Sequence, residues 1–161
     1  MKIRKASITH DYESVWSIFS AVVQTGDTYA YPPETTMTEM KTYWFADAMT
    51  TFVIEEDGNI LGTYIIKPNQ PGLGNHIANC GYMVAPRAHG RGIGKKLCEH
   101  SIAFARESGY KGIQFNIVVS TNEVALRLWQ KSGFRITGIT PKGFRHKELG
   151  FVDTYVMFRE L

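Results

Sequence analysis

Two cysteines, Cys80 and Cys98, are all that the chain carries, and they show neither a metal-ligand spacing nor a disulfide framework. Free thiols in a reducing cytoplasm are the expectation, with no bound metal. No apolar run approaches the eighteen or so residues of a membrane helix, and Met-Lys-Ile-Arg-Lys at the N-terminus lacks a signal peptide's apolar core. A membrane partner is therefore not expected. Charge of one sign is scarce too: 18 Lys and Arg against 15 Asp and Glu leave a formal +3, too small and dispersed to argue for nucleic acid. Repeats, low-complexity tracts and linkers are absent. The 161 residues suffice for one full core and fall short of two, so a single domain over 1–161 is expected. At 43% hydrophobic and 20% charged residues, the composition is that of a soluble globular protein.

Glycine is plentiful, and three residues of it are concentrated where chemistry is possible. Val84-Ala-Pro-Arg-Ala-His-Gly-Arg-Gly-Ile-Gly-Lys-Lys-Leu97 runs from a predicted strand into a predicted helix. Gly90, Gly92 and Gly94 leave backbone N–H groups unshielded at the positive end of that helix, which suits a pyrophosphate. Arg91, Lys95 and Lys96 add positive charge. Two nucleotide templates fail. A P-loop needs one more residue between its glycines and a hydroxyl where Lys96 stands. A dinucleotide turn needs a third glycine where Leu97 stands.

Periodicity predicts the remaining elements. Lys2–Ala6 reads as a strand, and Asp11 as the cap of a helix from Tyr12 to about Gln24. Thr25–Pro33 is an aromatic loop without a regular period, followed by a helix from Met37 to Ala48 capped by Thr36 or Thr38. Strands Thr51–Glu56 and Asn59–Pro68 are joined by Asp57-Gly58, a hairpin turn signal. After a loop to Asn75 come a strand His76–Val84, a helix of about Gly92 to Ser108, and a buried strand Lys111–Val119. A helix Asn122–Lys131 and strands Arg135–Thr140 and Thr154–Phe158 close the chain. The pattern alone supports a mixed α/β domain.

About thirty residues beyond the glycine loop lies Ser120-Thr-Asn-Glu-Val-Ala-Leu-Arg-Leu-Trp-Gln-Lys-Ser-Gly-Phe134. V-x-P-x-x-x-G-x-G-x-G followed by N-x-x-A-x-x-L-[aromatic]-x-K-x-G-F resembles the GNAT superfamily of N-acetyltransferases, over roughly Asn79 to Phe134. The resemblance implies an α/β (α+β) fold: a mixed, mostly antiparallel, twisted sheet of six or seven strands, splayed between the fourth and fifth, with helices on both faces. It implies acetyl-CoA as acyl donor, its phosphates on His89, Gly90, Arg91, Gly92, Ile93, Gly94 and Lys95. The backbone of Tyr82, Met83 and Val84 would replace strand partners with pantetheine amides, and Asn122 and Lys131 would add contacts from the second motif. The N–H of Val84 would polarise the thioester carbonyl, a main-chain oxyanion hole.

Several positions depart from the family pattern. His89 replaces the usual Arg or Gln. Trp129 stands where a tyrosine often serves as acid, and an indole N–H donates but gives up no proton near neutral pH, so core packing is its simplest role. Ile117 occupies the place of the glutamate base. The strands offer Asn79 and Asn116 instead, and a buried strand asparagine needs a partner, since leaving it unsatisfied costs roughly 1–3 kcal/mol. Either a structural bond within the sheet or a polar acceptor site would satisfy them. Asn122 is likewise a good helix N-cap as well as a site candidate. The trio Asn79, Asn116 and Asn122, with the loop Gly-Asp-Thr-Tyr-Ala-Tyr-Pro, resembles the fungal and bacterial proline-analogue (azetidine-2-carboxylate) N-acetyltransferases. That implies a small-molecule amine acceptor beside Asn79 and Asn116, under Tyr29 and Tyr31, with Asn122, Asn116 and Val84 carrying catalysis. Protein or peptide N-terminal acetylation and a non-catalytic acyl-CoA sensor stay open. Residues Pro141–Phe151 are expected to help close the site, and sheet edges with the strand Thr154–Phe158 are compatible with a homodimer.

Overall fold

The computed structural model of the chain describes every residue from Met1 to Leu161. Its strands are β1 (Lys2–Lys5), β2 (Thr50–Glu56), β3 (Asn59–Pro68), β4 (Ile77–Val84), β5 (Gly112–Val119), β6 (Arg135–His146) and β7 (Gly150–Glu160). The helices are α1 (Ile8–Val23), α2 (Met37–Trp44), α3 (Ile93–Glu107) and α4 (Glu123–Lys131). One seven-stranded sheet runs in the order β1-β2-β3-β4-β5-β7-β6, and only β4 and β5 are parallel neighbours. The expected architecture, with seven strands and a splay between the fourth and fifth, is what the chain adopts. Asp57 and Gly58 both take positive φ (50° and 75°), the primed hairpin turn read from the sequence.

Neighbouring residues of β3 show that helices cover both faces, because successive side chains on a strand point opposite ways. Tyr64 reaches α3, its hydroxyl 2.7 Å from His100 Nδ1. Thr63 reaches α2, accepting from Trp44 Nε1 at 3.0 Å while donating to Phe52 O at 2.8 Å. Thr63 is fully buried, and those two bonds satisfy it.

Three element boundaries differ from expectation. Helix α1 begins at Ile8, with Ser7 rather than Asp11 at the N-cap. Asp11 sits one turn inside, where its carboxylate accepts from Ser7 N–H (2.7 Å) and pairs with Arg4 (2.6 Å), which also binds Glu55 of β2. Helix α2 ends at Trp44, four residues short of Ala48. Thr51 Oγ1 donates to the Trp44 carbonyl, tying the helix end to β2 as the indole reaches the core. At its start Thr36 and Glu39 form a capping box, which decides between the two threonines. Strands β6 and β7 extend into one long hairpin through Pro141–Phe151, with register shifts between Ile136 and Gly138 and between Thr140 and Phe144. The hairpin end meets the Thr25–Pro33 loop, Lys147 N–H donating to Gly26 O at 2.9 Å.

Candidate active site

The parallel pairing of β4 with β5 consists of Ile77 opposite Gly112 and Ala78 opposite Ile113, and then the strands separate. Strand β5 stays bound to β7 and carries a bulge between Phe115 and Val118. Asn79 sits just past the last rung, where its Nδ2 donates to Gln114 O at 2.9 Å, a β5 carbonyl directed at β4. A side-chain amide thus ends the ladder and opens the wedge.

Ladder parity decides which β4 groups face that wedge. Ala85 N–H donates to Leu61 O, and Ile77 O accepts from Asn69 N–H, so odd-numbered residues face β3. His76 O accepts from Lys111 N–H, so even-numbered ones face β5. The backbone groups of Cys80, Tyr82 and Val84 therefore point into the splay. Met83, expected there with them, instead directs its N–H and C=O to Thr63 on β3 and buries its side chain. Two of the wedge carbonyls already have partners. Tyr29 O–H donates to Tyr82 O at 2.8 Å, and His89 Nε2 lies 3.3 Å from Val84 O. The N–H groups of Cys80, Tyr82 and Val84 point into the splay beside them.

At the end of β4 the chain enters the glycine loop. Gly90 (φ 77°) and Gly92 (φ 71°) hold left-handed backbone, and a Cβ at either would meet no protein atom within 4 Å. Gly94 has a different reason to be glycine: a Cβ there would lie 3.3 Å from Leu128 of α4. Gly92 caps α3 without a side-chain bond, and the first helical bond runs from Lys96 N–H to Gly92 O. The N–H groups of Ile93, Gly94 and Lys95 consequently have no intrahelical acceptor, which makes an anion cradle. The neighbouring cations are less available than expected. Arg91 is held by Glu56 of β2 at 2.5 Å, and Lys95 lies 3.7 Å from Glu99. Lys131, exposed at the end of α4, makes no hydrogen bond or ion pair to the loop.

A cavity of about 300 Å³ fills the splay. Tyr29, Tyr31, Trp44, Ile65, Lys67, Asn79, Cys80 and Gly81 line it with Tyr82, Phe115, Asn116, Ile117, Asn122, Ala125 and Trp129. Tyr31 stacks between Tyr29 (5.7 Å) and Tyr43 (4.5 Å), and Trp44 meets Tyr29 edge-on, so the irregular loop is a packed aromatic wall. Trp129 packs against Tyr82 and Phe115, each at 4.9 Å. The two asparagines of the splay behave differently. Asn79 is half-buried, whereas Asn116 is exposed and hydrogen-bonded: its Nδ2 donates to Asn69 Oδ1 (2.8 Å), and its Oδ1 accepts from Gln114 Nε2 (3.0 Å). The bulge breaks the pleat, so that Asn116 and Ile117 are both exposed at the cavity rim between buried Phe115 and Val118. Asn122 caps α4, its Oδ1 accepting from Ala125 N–H at 3.2 Å, and lines the cavity as well.

No carboxylate or histidine lines this cavity. Burial pushes the Cys80 thiol up to about 12, and Tyr31 to about 12 with help from Tyr43. Burial likewise raises Tyr29 and Tyr82 well above the ordinary phenol range. These groups stay protonated at neutral pH: they donate hydrogen bonds but provide neither a base nor a thiolate. A second, polar cleft of about 350 Å³ adjoins at Thr28 and Asn122, bordered by Asp27, Glu123, Arg127 and His146. Reasoning from the sequence missed Lys67, Asn69 and Trp44. Lys67 left one signal, a lone cation ending the apolar run Tyr64-Ile-Ile-Lys67.

Known proteins share this fold. The family model described as acetyltransferase (GNAT) family matches residues 12–134. N-acetyltransferase aca1 of Schizosaccharomyces pombe is 32% identical, the match covering 83% of this chain and 72% of that protein. A GCN5-related N-acetyltransferase from Kribbella flavida is 40% identical and superposes with a TM-score of 0.93 over 99% of this chain and 97% of its own. The structure of yncA from Salmonella typhimurium, which holds acetyl-CoA, shares the fold at 22% identity and a TM-score of 0.87, over 100% and 94% of the two chains. A splayed parallel pair, a bare helix start beside it and a family match across three quarters of the sequence agree: the chain belongs to the acetyltransferase (GNAT) family.

Proposed function

We propose that this enzyme transfers the acetyl group of acetyl-CoA to the amine of a small molecule, with amino and imino acids as the favoured class. The observation that carries the proposal is the cavity itself. It is walled by Tyr29, Tyr31 and Trp44, furnished with Asn79 and Asn116, and free of carboxylates and histidines. The three asparagines and the aromatic loop support kinship with the proline-analogue acetyltransferases.

The chain's own groups fit the donor. The unbonded N–H groups of Ile93, Gly94 and Lys95 suit the pyrophosphate, and open space at Gly90 and Gly92 admits it. The wedge-facing N–H groups of Tyr82 and Val84 suit pantetheine and the thioester carbonyl. Asn79 and Asn116 orient the acceptor. Its neutral nitrogen attacks the carbonyl carbon, the C–N bond forms, and the C–S bond breaks to release CoA. The amine proton leaves to water, because no side chain in the cavity is built to take it. Positioning then supplies much of the rate, an effect worth several kcal/mol. Trp129, being donor only, steadies the leaving sulfur at most by a hydrogen bond.

Thiol release from acetyl-CoA across a panel of amino acids, polyamines and peptide N-termini tests this reading. Turnover on amino or imino acids is expected. Preference for peptides would favour the N-terminal acetyltransferase reading, and tight CoA binding without turnover on any amine would leave a sensor.

A further inference from the structure

We infer that Lys67 binds a carboxylate of the acceptor, making the enzyme selective for amines that carry an acid group. The inference rests on reading the splay cavity as the acceptor site. Lys67 is the only charged residue lining that cavity, and it is half-buried. Its side chain has no ion-pair partner and no hydrogen bond in the protein, unlike those of Arg4, Arg91, Lys95 and Arg127, which all pair with carboxylates. A half-buried lysine lining a cavity that holds no carboxylate is placed to meet an anionic ligand.

Its neighbours complete an anion site. Lys67 lies directly opposite Asn79 across β3 and β4, so the two side chains share a face and adjoin. Asn79 spends one amide hydrogen on Gln114 O, and Asn116 spends one on Asn69 Oδ1, so each keeps a second donor. A cation and two spare amide donors around one end of the cavity match the two oxygens of a carboxylate. Gly81, two residues along β4, is about 7 Å further toward Val84. Val84 lies five residues from Asn79, roughly 16 Å along β4, so the Lys67 side chain must lean toward Val84 for the acid it holds to present its amine to the thioester. The same charge works against polycationic acceptors.

The test compares azetidine-2-carboxylate and proline with their carboxamides, and with putrescine and spermidine, as acceptors. Specificity is read as kcat/KM corrected for the neutral-amine fraction. The wild-type enzyme should favour carboxylate over carboxamide by about thirtyfold, as a charge-assisted contact implies. Lys67→Met should bring that ratio near one, and Lys67→Arg should restore most of it, with thermal unfolding confirming that both variants fold. Titration calorimetry of N-acetylproline against N-acetylprolinamide on the CoA-loaded protein reads the same preference without turnover. Absence of turnover would overturn only the acetyl-transfer reading, and the calorimetry would still decide Lys67. A wild-type ratio near one, preference for the polyamines, or a Lys67→Met ratio equal to wild type would overturn the inference.

Discussion

Asn122 shows how one side chain serves two ends. Its Oδ1 holds the Ala125 N–H at the start of α4 while its flank lines the cavity. Both roles were legible from Ser120-Thr-Asn-Glu and the family motif. Asn122→Ser separates them, because serine caps about as well as asparagine, to within a few tenths of a kcal/mol. Thermal stability should hold while turnover falls at least about tenfold, the loss expected from one oriented hydrogen bond. Equal turnover at equal stability would reduce Asn122 to a cap. Asn79 was legible as a residue but not in its contact. Its bond to Gln114 O depends on where two strands part company, a tertiary fact that no local pattern encodes. The adjacent exposure of Asn116 and Ile117 is illegible for a related reason: a bulge adds a residue to β5 without any glycine or proline to announce it.

At the level of elements, the glycine loop was the most legible part of the chain, because left-handed backbone and a bare helix start demand one residue type. Gly92→Val forces a β-branched residue to φ 71° and puts its side chain into the open space over the α3 N-terminus. It should abolish CoA binding in titration calorimetry. Gly109→Val is the control, since Gly109 has φ 83° with nothing within 4 Å, at the opposite end of α3. Both substitutions should cost roughly 1–2 kcal/mol of stability through backbone strain, but only the first should lose CoA. Loss in both would locate the effect in folding rather than the phosphate site. The strands β6 and β7 were the least legible elements. Pro141, Gly143 and two register shifts interrupt their alternation, so the pattern shows only the stretches Arg135–Thr140 and Thr154–Phe158.

Across the whole molecule, Arg4 ties β1, α1 and β2 together through Asp11 and Glu55. The hydrogen bond from Arg4 holds the Asp11 carboxyl below the usual carboxylate range, against the opposing effect of burial. A carboxyl depressed in the folded state contributes stability above its unfolded pKa of about 4, and that contribution disappears as pH falls through the folded value. Arg4→Leu should therefore cost about 2 kcal/mol at pH 7, measured by urea unfolding, and progressively less as the pH drops below about 4. A pH-independent difference would mean that Arg4 acts by packing alone. Catalysis has its own pH signature at this scale, since the cavity offers phenols and a thiol that stay protonated and no carboxylate or histidine. An aliphatic amine of pKa about 10 is only about one-thousandth neutral at pH 7, and nothing in the cavity is built to raise that fraction. Acetyl transfer by direct attack of the free amine thus predicts that kcat/KM for the preferred acceptor climbs about tenfold per pH unit from pH 6 to 9, without a plateau. A bell-shaped profile, or a bend near neutral pH, would contradict it and reveal a titrating base.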